Sequence, residues 1–392
     1  MNASNPGPGV SQRGDVDPFI AMDILREAYR REAAGADICH MEVGQPAARA
    51  PRAVLEAAER ALRDGPLGYT EATGLPQLRE RIAEHYRKVH GVEIAPERVI
   101  VTPGSSGGFT LAFLSLFEAG DKLALASPGY PAYRNILKAL NIEAAWLETR
   151  EEDRWAPTAN DIAELHQSAG IKGLLLASPG NPTGTVIEPD RLASICRTAR
   201  ERGIRLISDE IYHGLTYGAQ ADTALIHDAD AIVVNSFSKY YCMTGWRIGW
   251  MIVPQDLVRT MERLAQNLFI CPPAISQLAA VAAFDATDEL EANKAVYSRN
   301  REMLVERLPQ IGISRFLPVD GAFYLYADIG DFTNDSMDFA NRLLAEAGIA
   351  ATPGLDFDPF NGDRFLRLSF AGSNETVEKA IHKLDGFLKN QR

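Results

Sequence analysis

The chain has 392 residues, a length that predicts one large domain or two ordinary ones and excludes a minimal scaffold. Hydrophobic residues make up 46% and charged residues 23%, which is typical of globular proteins and excludes an intrinsically disordered chain. The formal net charge of −12 argues against the broad basic surface of a nucleic-acid-binding protein, although it leaves room for a local cationic pocket.

The cysteines and the apolar segments indicate the cellular compartment of the protein. Cys39, Cys196, Cys242 and Cys271 are widely spaced, which predicts reduced, buried thiols and neither a disulfide framework nor a zinc site. No segment reaches the roughly 18 uninterrupted apolar residues of a membrane span, and the N-terminus has no apolar targeting segment. We therefore expect a cytoplasmic protein that binds no metal, no membrane and no nucleic acid.

The first 48 residues form two predicted segments, an arm and a helical segment. Residues 1–18 begin with an aperiodic stretch rich in Gly, Pro, Asn and Ser, which predicts a mobile N-terminal arm. In residues 19–48, the spacing of Ile20, Ile24 and Ala28 predicts an amphipathic helix. We expect this second segment to complete a small domain whose remainder lies at the C-terminal end.

Residues 49–287 are expected to form the large domain. Helical periodicity predicts helices over 51–63 and 74–89. Short apolar runs then alternate with helical segments, which predicts βαβ units and a largely parallel sheet covered on both faces. The apolar runs lie at 98–104, 122–129, 143–148, 173–180, 204–210, 231–239 and 247–254. In such sheets, functional groups gather at the carboxyl ends of the strands.

Residues 288–392 are expected to form a smaller α/β domain. The patterns predict helices over 288–307, 336–347 and 374–389 and strands within 321–329 and 364–370. The whole chain is therefore predicted to be an α/β protein with two domains.

The most informative segment is Ser236-Phe237-Ser238-Lys239, which follows an apolar run and is itself followed by Arg247. A lysine flanked by hydroxyls and followed by an arginine suits a Schiff-base nucleophile beside an anion site. Because S-x-S-K is a short string, an exposed loop lysine is the simpler interpretation of this segment alone.

Polar residues at three further strand ends favour the first interpretation, a Schiff-base lysine beside an anion site. Asp209 ends an apolar run and Tyr212 follows it, although a lone aspartate there also suits a helix cap. Asn181 lies in a turn dense in Pro and Gly, and a plain turn is the alternative. Ser105 and Ser106 join a strand to a helix, whose N–H groups and dipole can hold a phosphate. Each feature alone is a weak signal.

In chain order and spacing, these motifs together resemble the class I/II aminotransferases, which are fold type I pyridoxal-phosphate (PLP) enzymes. The resemblance runs from about Gly44 to the C-terminal helix. It implies a large domain with a mostly parallel seven-stranded sheet, a smaller α/β C-terminal domain, and a homodimer with active sites at the subunit interface. It also implies pyridoxal 5'-phosphate as the cofactor and an amino acid and a 2-oxo acid as small-molecule substrates.

The resemblance implies roles for the residues around the PLP ring. Lys239 would form the Schiff base and then move a proton between the substrate and the cofactor. Asp209 would pair with the pyridinium nitrogen and keep it protonated. Tyr212 and Asn181 would hydrogen-bond the phenolic oxygen, and Tyr130 would stack on the ring unless it is only a turn aromatic.

A second group of residues would hold the phosphate of PLP. The group comprises the backbone of Ser105 and Ser106, the hydroxyls of Ser236 and Ser238, and the guanidinium of Arg247. Tyr69 matches the tyrosine of the family that reaches the phosphate in the partner subunit. Gly107 would permit close approach near the phosphate loop.

Arg367 and Gly44 match the positions that receive the α-carboxylate of the substrate, the first by a bidentate ion pair, and Asn181 would assist. Taken alone, an exposed strand arginine and a turn glycine are the alternatives. Ser106 stands where some bacterial relatives have a lysine, and residues 266–277 contain no Arg or Lys that could receive a distal carboxylate. The sequence therefore favours neutral or aromatic amino donors over aspartate.

The function that these motifs predict is ping-pong transfer of an amino group to a 2-oxo acid such as 2-oxoglutarate. A PLP-dependent C–S β-lyase is the alternative, because it uses nearly the same cofactor residues. A PLP-sensing transcription regulator is disfavoured, because only a short, non-basic segment precedes the first family motif. We expect the N-terminal segment, including Phe19 and Ile20, to line the distal part of the substrate pocket.

Overall fold

The computed structural model describes residues 9–390, so residues 1–8 of the predicted mobile arm lie outside the described residues. The helices are α1 (Ile20–Ala33), α2 (Arg52–Asp64), α3 (Pro76–His90), α4 (Gly104–Leu116), α5 (Pro131–Ala139), α6 (Ala159–Ala169), α7 (Pro189–Glu201), α8 (Gln255–Leu268), α9 (Ala274–Val281), α10 (Thr287–Gln310), α11 (Ser336–Arg342) and α12 (Asn374–Lys389). The strands are β1 (Cys39–His40), β2 (Val99–Thr102), β3 (Lys122–Ser127), β4 (Glu143–Glu148), β5 (Gly173–Ala177), β6 (Arg205–Asp209), β7 (Ile232–Ser236), β8 (Gly249–Ile252), β9 (Tyr324–Asp328), β10 (Ile349–Ala350), β11 (Thr352–Pro353) and β12 (Phe365–Ser369).

Local sequence signals set both ends of α6. Thr158 and Asp161 form a capping box at the start of α6, and Gly170 ends the same helix in the left-handed conformation, with φ 66°. The helix predicted over 336–347 is divided, because α11 passes into a π-helical turn at Leu343–Ala347.

The large sheet has seven strands in the order β2-β8-β7-β6-β5-β3-β4. Its neighbouring strands are parallel except where they pair with β8. The chain crosses from one side of β3 to the other between β4 and β5, which creates a topological switch point beside β3. Ligands of open α/β sheets bind in the crevice outside such a point, at the carboxyl ends of the strands.

Hydrophobic clusters cover both faces of this sheet. Successive strand residues point to opposite faces, so Leu174 and Leu206 face one cluster while Leu175 and Ile207 face the other. Helices α2, α3, α6, α7 and α9 contribute to the first cluster, and α4, α5 and α8 contribute to the second. This three-layer arrangement explains why the central strands read as nearly continuous apolar runs.

A separate hydrophobic core forms around the C-terminal part. Strands β11, β12 and β9 form an antiparallel three-stranded sheet, and α10, α11 and α12 pack with it. The N-terminal segment joins this part, because β1 pairs with β10 and because Ile24 and Ala28 of α1 contact Leu344 and Ala350. On the basis of these separate cores we propose the predicted domain division, 49–287 for the large domain and 19–48 with 288–392 for the small one.

The cysteines differ in burial. All four are free thiols; Cys39, Cys196 and Cys242 are buried, whereas Cys271 is only partly buried. The prediction of burial is therefore wrong for Cys271, because this residue lies in the loop between α8 and α9. Within 9–390, no helix has both the length and the apolar character needed to cross a membrane.

The centre of the large sheet should dominate the stability of the fold. Ile207 is fully buried in β6, and replacing it with Ala leaves a cavity that should lower the free energy of unfolding by about 2–5 kcal/mol. Urea unfolding at one fixed protein concentration measures this loss. Leu62→Ala is the control, because Leu62 on α2 is 63% exposed and its loss should cost about 0.5 kcal/mol or less. Equal losses for the two variants would contradict the assignment of the core.

Candidate active site

A cavity of about 400 Å³ lies between the carboxyl ends of the large-sheet strands and the three-stranded sheet. It is lined by most of the residues that the motifs predict, namely Gly44, Ser105, Ser106, Tyr130, Asn181, Asp209, Tyr212, Ser238, Lys239, Arg247 and Arg367. Residues separated by more than 300 positions in the chain therefore meet around one space.

Lys239 follows β7 and extends its amine into this cavity. Its Nζ donates a hydrogen bond to the backbone carbonyl of Gly44, at 2.7 Å. The pKa of Lys239 is lowered to about 8, chiefly by burial and also by the positive charges of Arg367 and Arg247, while the charge of Asp209 opposes this shift. A lysine with a depressed pKa provides more neutral amine near neutral pH, which is the nucleophilic form.

Asp209 ends β6 and is only 5% exposed. Burial raises the pKa of Asp209 to about 6, although hydrogen bonds from the Tyr133 hydroxyl and the Ile211 N–H favour the ionised carboxylate. The motifs did not identify Tyr133. A signal was present, because Tyr130 and Tyr133 are three residues apart at the start of α5 and so lie on one side of the helix.

Tyr324 is a second tyrosine of the cavity that the motifs did not identify. The hydroxyls of Tyr212 and Tyr324 lie 2.8 Å apart, so each tyrosine orients the other. Burial raises the pKa of Tyr212 well above its usual value, and the adjacent Tyr324 adds to this effect, so Tyr212 stays protonated. A Cβ atom added at Gly44 would lie 1.5 Å from the Tyr324 hydroxyl oxygen, which explains why glycine occupies that position.

Arg367 lies on β12 and is 2% exposed, so the interpretation as an exposed strand arginine is wrong. Its Nη1 donates to the side-chain oxygen of Asn181 at 2.8 Å, and its Nη2 donates to the backbone carbonyl of Glu42 and to Thr352 Oγ1. These bonds bring two residues predicted to contact the substrate, Arg367 and Asn181, into direct contact.

Two aromatic rings fix the plane of this guanidinium. The Cζ atom of Arg367 lies 4.3 Å from the ring centre of Tyr324 and 4.5 Å from that of Phe357. The rings stabilise the cation and hold its flat faces. The buried Nε of Arg367 has no hydrogen-bond partner among the described residues, so a donor remains for an anionic group.

The N-terminus of α4 lines another part of the cavity. Ser105 and Ser106 lie in its first turn, where backbone N–H groups and the helix dipole favour an anion. Gly104 has φ 73°, and a Cβ atom there would lie 2.5 Å from Nη2 of Arg247. Glycine at this position therefore allows the Arg247 guanidinium to approach the start of the helix.

The remaining predicted residues lie outside the cavity wall. The Ser236 side chain is hydrogen-bonded to Ser238 Oγ and to the backbone carbonyl of Ile248, so it helps to position Ser238 without lining the cavity. The Tyr69 side chain is exposed and does not line the cavity, and its predicted contact with a partner subunit stays a prediction. A Cβ atom at Gly107 would lie 2.8 Å from the ring of Pro103, so this glycine allows close packing behind the phosphate loop.

Comparison with known proteins decides the family. The family model described as "Aminotransferase class I and II" matches residues 36–384. The chain belongs to this family.

The chain matches individual aminotransferases along nearly its whole length. It is 48% identical over 386 residues to the valine–pyruvate aminotransferase of Mycobacterium tuberculosis, covering 97% of this chain and 99% of that protein. It is 30% identical over 380 residues to the aspartate aminotransferase of Sulfurisphaera tokodaii, covering 94% of each chain.

Solved structures agree with the sequence relatives. An aminotransferase from Mycobacterium tuberculosis superimposes with a TM-score of 0.96 at 47% identity, covering 98% of this chain and 100% of the other. The aspartate aminotransferase of Thermus thermophilus with maleate gives a TM-score of 0.91 at 30% identity, covering 97% and 99%. The predicted fold type I architecture and aminotransferase activity are confirmed, and PLP is the cofactor of this family.

The cavity fits PLP by its donor set. The lysine with a lowered pKa matches the aldehyde of PLP, and the buried carboxylate matches the ring nitrogen. The helix N-terminus beside Arg247 matches the phosphate. When bound, PLP supplies an electron-withdrawing ring that stabilises the negative charge left on the substrate carbon after proton loss. We propose that Asp209 holds the ring nitrogen and that Lys239 accepts and returns the proton.

Tyr133 should tune the charge of Asp209. In Tyr133→Phe the carboxylate loses a hydrogen bond that stabilises its ionised form, so the pKa of Asp209 should rise by about one unit. Because a carboxylate protonates as the pH falls, the acidic limb of kcat/KM should move to higher pH by a similar amount. Tyr217→Phe is the control, since the hydroxyl of this partly buried tyrosine donates to the backbone carbonyl of Ala322 instead. Identical pH profiles for wild type and Tyr133→Phe would contradict this role.

Proposed function

We propose that this aminotransferase takes the amino group of a neutral L-amino acid, aliphatic or aromatic, and transfers it to a 2-oxo acid in a ping-pong reaction. The observation that supports this proposal is the charge of the cavity wall. Among its lining residues the cations are Lys239, Arg247 and Arg367, and each is needed for the cofactor or the α-carboxylate. None remains for a second, distal carboxylate of an acidic donor.

The distal wall is apolar instead. It is formed by Phe19 just before α1, by Ala21, Met22 and Leu25 of α1, and by Val43 in the segment that follows. The ring of Phe19 packs edge-on against Tyr130, with centroids 5.6 Å apart. An aliphatic or aromatic side chain placed there would lose contact with water, which favours its binding by about 25 cal/mol per Å² of buried apolar surface.

The same argument bears on the amino acceptor. The acceptor predicted from the sequence is 2-oxoglutarate, which has a distal carboxylate that the apolar wall would not pair. We therefore propose a monocarboxylic acceptor such as pyruvate, with 2-oxoglutarate as the alternative. The name of the Mycobacterium tuberculosis relative, valine–pyruvate aminotransferase, supports both the neutral donor and the monocarboxylic acceptor.

We also propose the predicted homodimer. Tyr69 is 84% exposed, and Leu268 and Ile270 are about half exposed. The N–H of Thr70 donates to Cys271 Sγ at 3.4 Å, which places the Tyr69 loop beside the loop with the exposed apolar residues. Apolar surface of this kind is typical of a protein interface, and Tyr69 would then reach the site of the partner subunit.

A half-reaction screen tests the donor and the acceptor together. L-Valine should convert the PLP-loaded enzyme to its amino form, with loss of the long-wavelength absorbance band, and pyruvate should restore that band. The kcat/KM for L-aspartate should be at least about tenfold lower, because its distal carboxylate would enter an apolar wall unpaired. Equal kcat/KM values for aspartate and valine would contradict the proposal, and release of pyruvate and ammonia from cystathionine without an acceptor would favour the C–S β-lyase.

Arg367 should determine binding of the α-carboxylate. Arg367→Ala removes a buried bidentate partner, so KM for the amino donor and the oxo acid should rise by an amount equivalent to about 2–5 kcal/mol. Steady-state kinetics measure the change. Arg364→Ala is the control, because Arg364 lies just before the same strand and pairs with Asp328 at the surface. A KM within twofold of wild type in Arg367→Ala would remove this residue from the substrate site.

A further inference from the structure

The start of α1 is held by a residue from the far end of the chain. Phe19 precedes the helix and offers no side-chain oxygen to cap it. Instead, the N–H groups of Ile20 and Ala21 donate to the two carboxylate oxygens of Asp356, at 3.2 and 3.1 Å. Asp356 is fully buried, so water does not compete for these bonds. An acidic group at a helix N-terminus is also stabilised by the helix dipole.

The segment just before α1 is attached to the large domain. The side-chain amide of Asn135 donates to the backbone carbonyl of Asp17 at 3.1 Å, and Lys138 lies 3.6 Å from the Asp17 carboxylate. Phe19 packs against Tyr130. The start of α1 therefore bridges the cavity, with α5 on one side and Asp356 on the other.

The turn that contains Asp356 also supports the substrate-binding arginine. It is a 3-10 turn at Gly354–Asp356, directly after β11, and Thr352 of β11 lies opposite Arg367 in the sheet register. Phe357, the residue after Asp356, packs against the Arg367 guanidinium. One short segment thus sets the position of the Arg367 side chain and the position of α1.

The charges around Asp356 favour its ionised form. Burial raises the pKa of Asp356, but the N–H groups of Ile20 and Ala21 and the positive charges of Arg367 and Arg134 oppose this effect. The ionised carboxylate accepts a backbone hydrogen bond at each of its two oxygens. A neutral carboxamide cannot do this equally well, because only one of its two terminal atoms accepts.

We propose that Asp356 is a positioning residue for donor selectivity. By fixing the first turn of α1 relative to Arg367, it sets the distance between the α-carboxylate site and the apolar wall made by Phe19, Ala21 and Met22. Loss of this anchor lets the wall move away and weakens its contact with a branched side chain more than with a methyl group. This inference rests on the proposed neutral donor.

The experiment compares two donors in holoenzyme variants. The ratio of kcat/KM for L-valine to that for L-alanine should fall by roughly tenfold in Asp356→Ala. Valine has two more side-chain carbons than alanine, and a hydrophobic pocket distinguishes substrates by about tenfold or more for each methylene. Asp356→Asn keeps the size and one acceptor oxygen, so it should give a smaller fall. It also provides the comparison if the Ala variant does not fold.

Hydrogen–deuterium exchange gives a readout that does not depend on activity. Amides in the first turns of α1 should exchange faster in both Asp356 variants than in wild type. Asp358→Asn is the matched control, because Asp358 is a buried aspartate of the same loop that accepts hydrogen bonds from Ser127 Oγ and the Phe360 N–H. It should leave the valine-to-alanine ratio and the exchange of α1 unchanged.

The possible failures are distinguishable. Wild-type enzyme that prefers aspartate to valine would overturn the proposed function and, with it, this inference. Wild-type enzyme that prefers valine, together with an unchanged valine-to-alanine ratio in both Asp356 variants, would overturn the positioning role alone. The same holds if the control Asp358→Asn lowers the ratio as much as Asp356→Asn does, because the effect would then belong to the loop in general.

Discussion

Three cations surround one cavity in a chain whose net charge is −12. Lys239 lies near Arg247 and Arg367, and both lower its pKa in addition to the larger effect of burial. Asp209 is the carboxylate of the cavity wall that opposes them. Because like charges repel strongly in a poorly hydrated space, the arrangement favours anionic groups between the arginines and a neutral lysine amine. The two arginines that attract anionic groups thus also contribute to the lowered pKa of the lysine.

The parallel sheet supplies the positions for this arrangement. Asn181, Asp209 and Lys239 follow or end β5, β6 and β7, three neighbouring parallel strands whose carboxyl ends meet at one edge. The strands are buried on both faces, and close packing of this kind keeps the residues at their ends at defined separations. Arg367 lies on β12 of the three-stranded sheet, and its hydrogen bond to Asn181 connects that sheet to the end of the large sheet.

Aromatic residues connect the charged groups to one another. Tyr324 bonds Tyr212, packs on Arg367 and excludes any side chain from Gly44. Phe357 covers the other face of the same guanidinium. These contacts explain how a buried arginine keeps one orientation relative to the apolar residues of α1.

The sequence by itself determined the alternation of strands and helices in the large domain, the apolar character of its strands and the motifs around Lys239, Asp209 and Asn181, because these depend on residues close together in the chain. The short strands β1, β10 and β11 were not predicted. Only the tertiary structure decided that Tyr133 bonds Asp209, that Tyr324 and Phe357 enclose Arg367, and that Asp356 caps α1. These contacts join distant positions and involve common residue types. Periodicity and motif spacing report local geometry, whereas the partner of a buried side chain depends on how the whole chain packs.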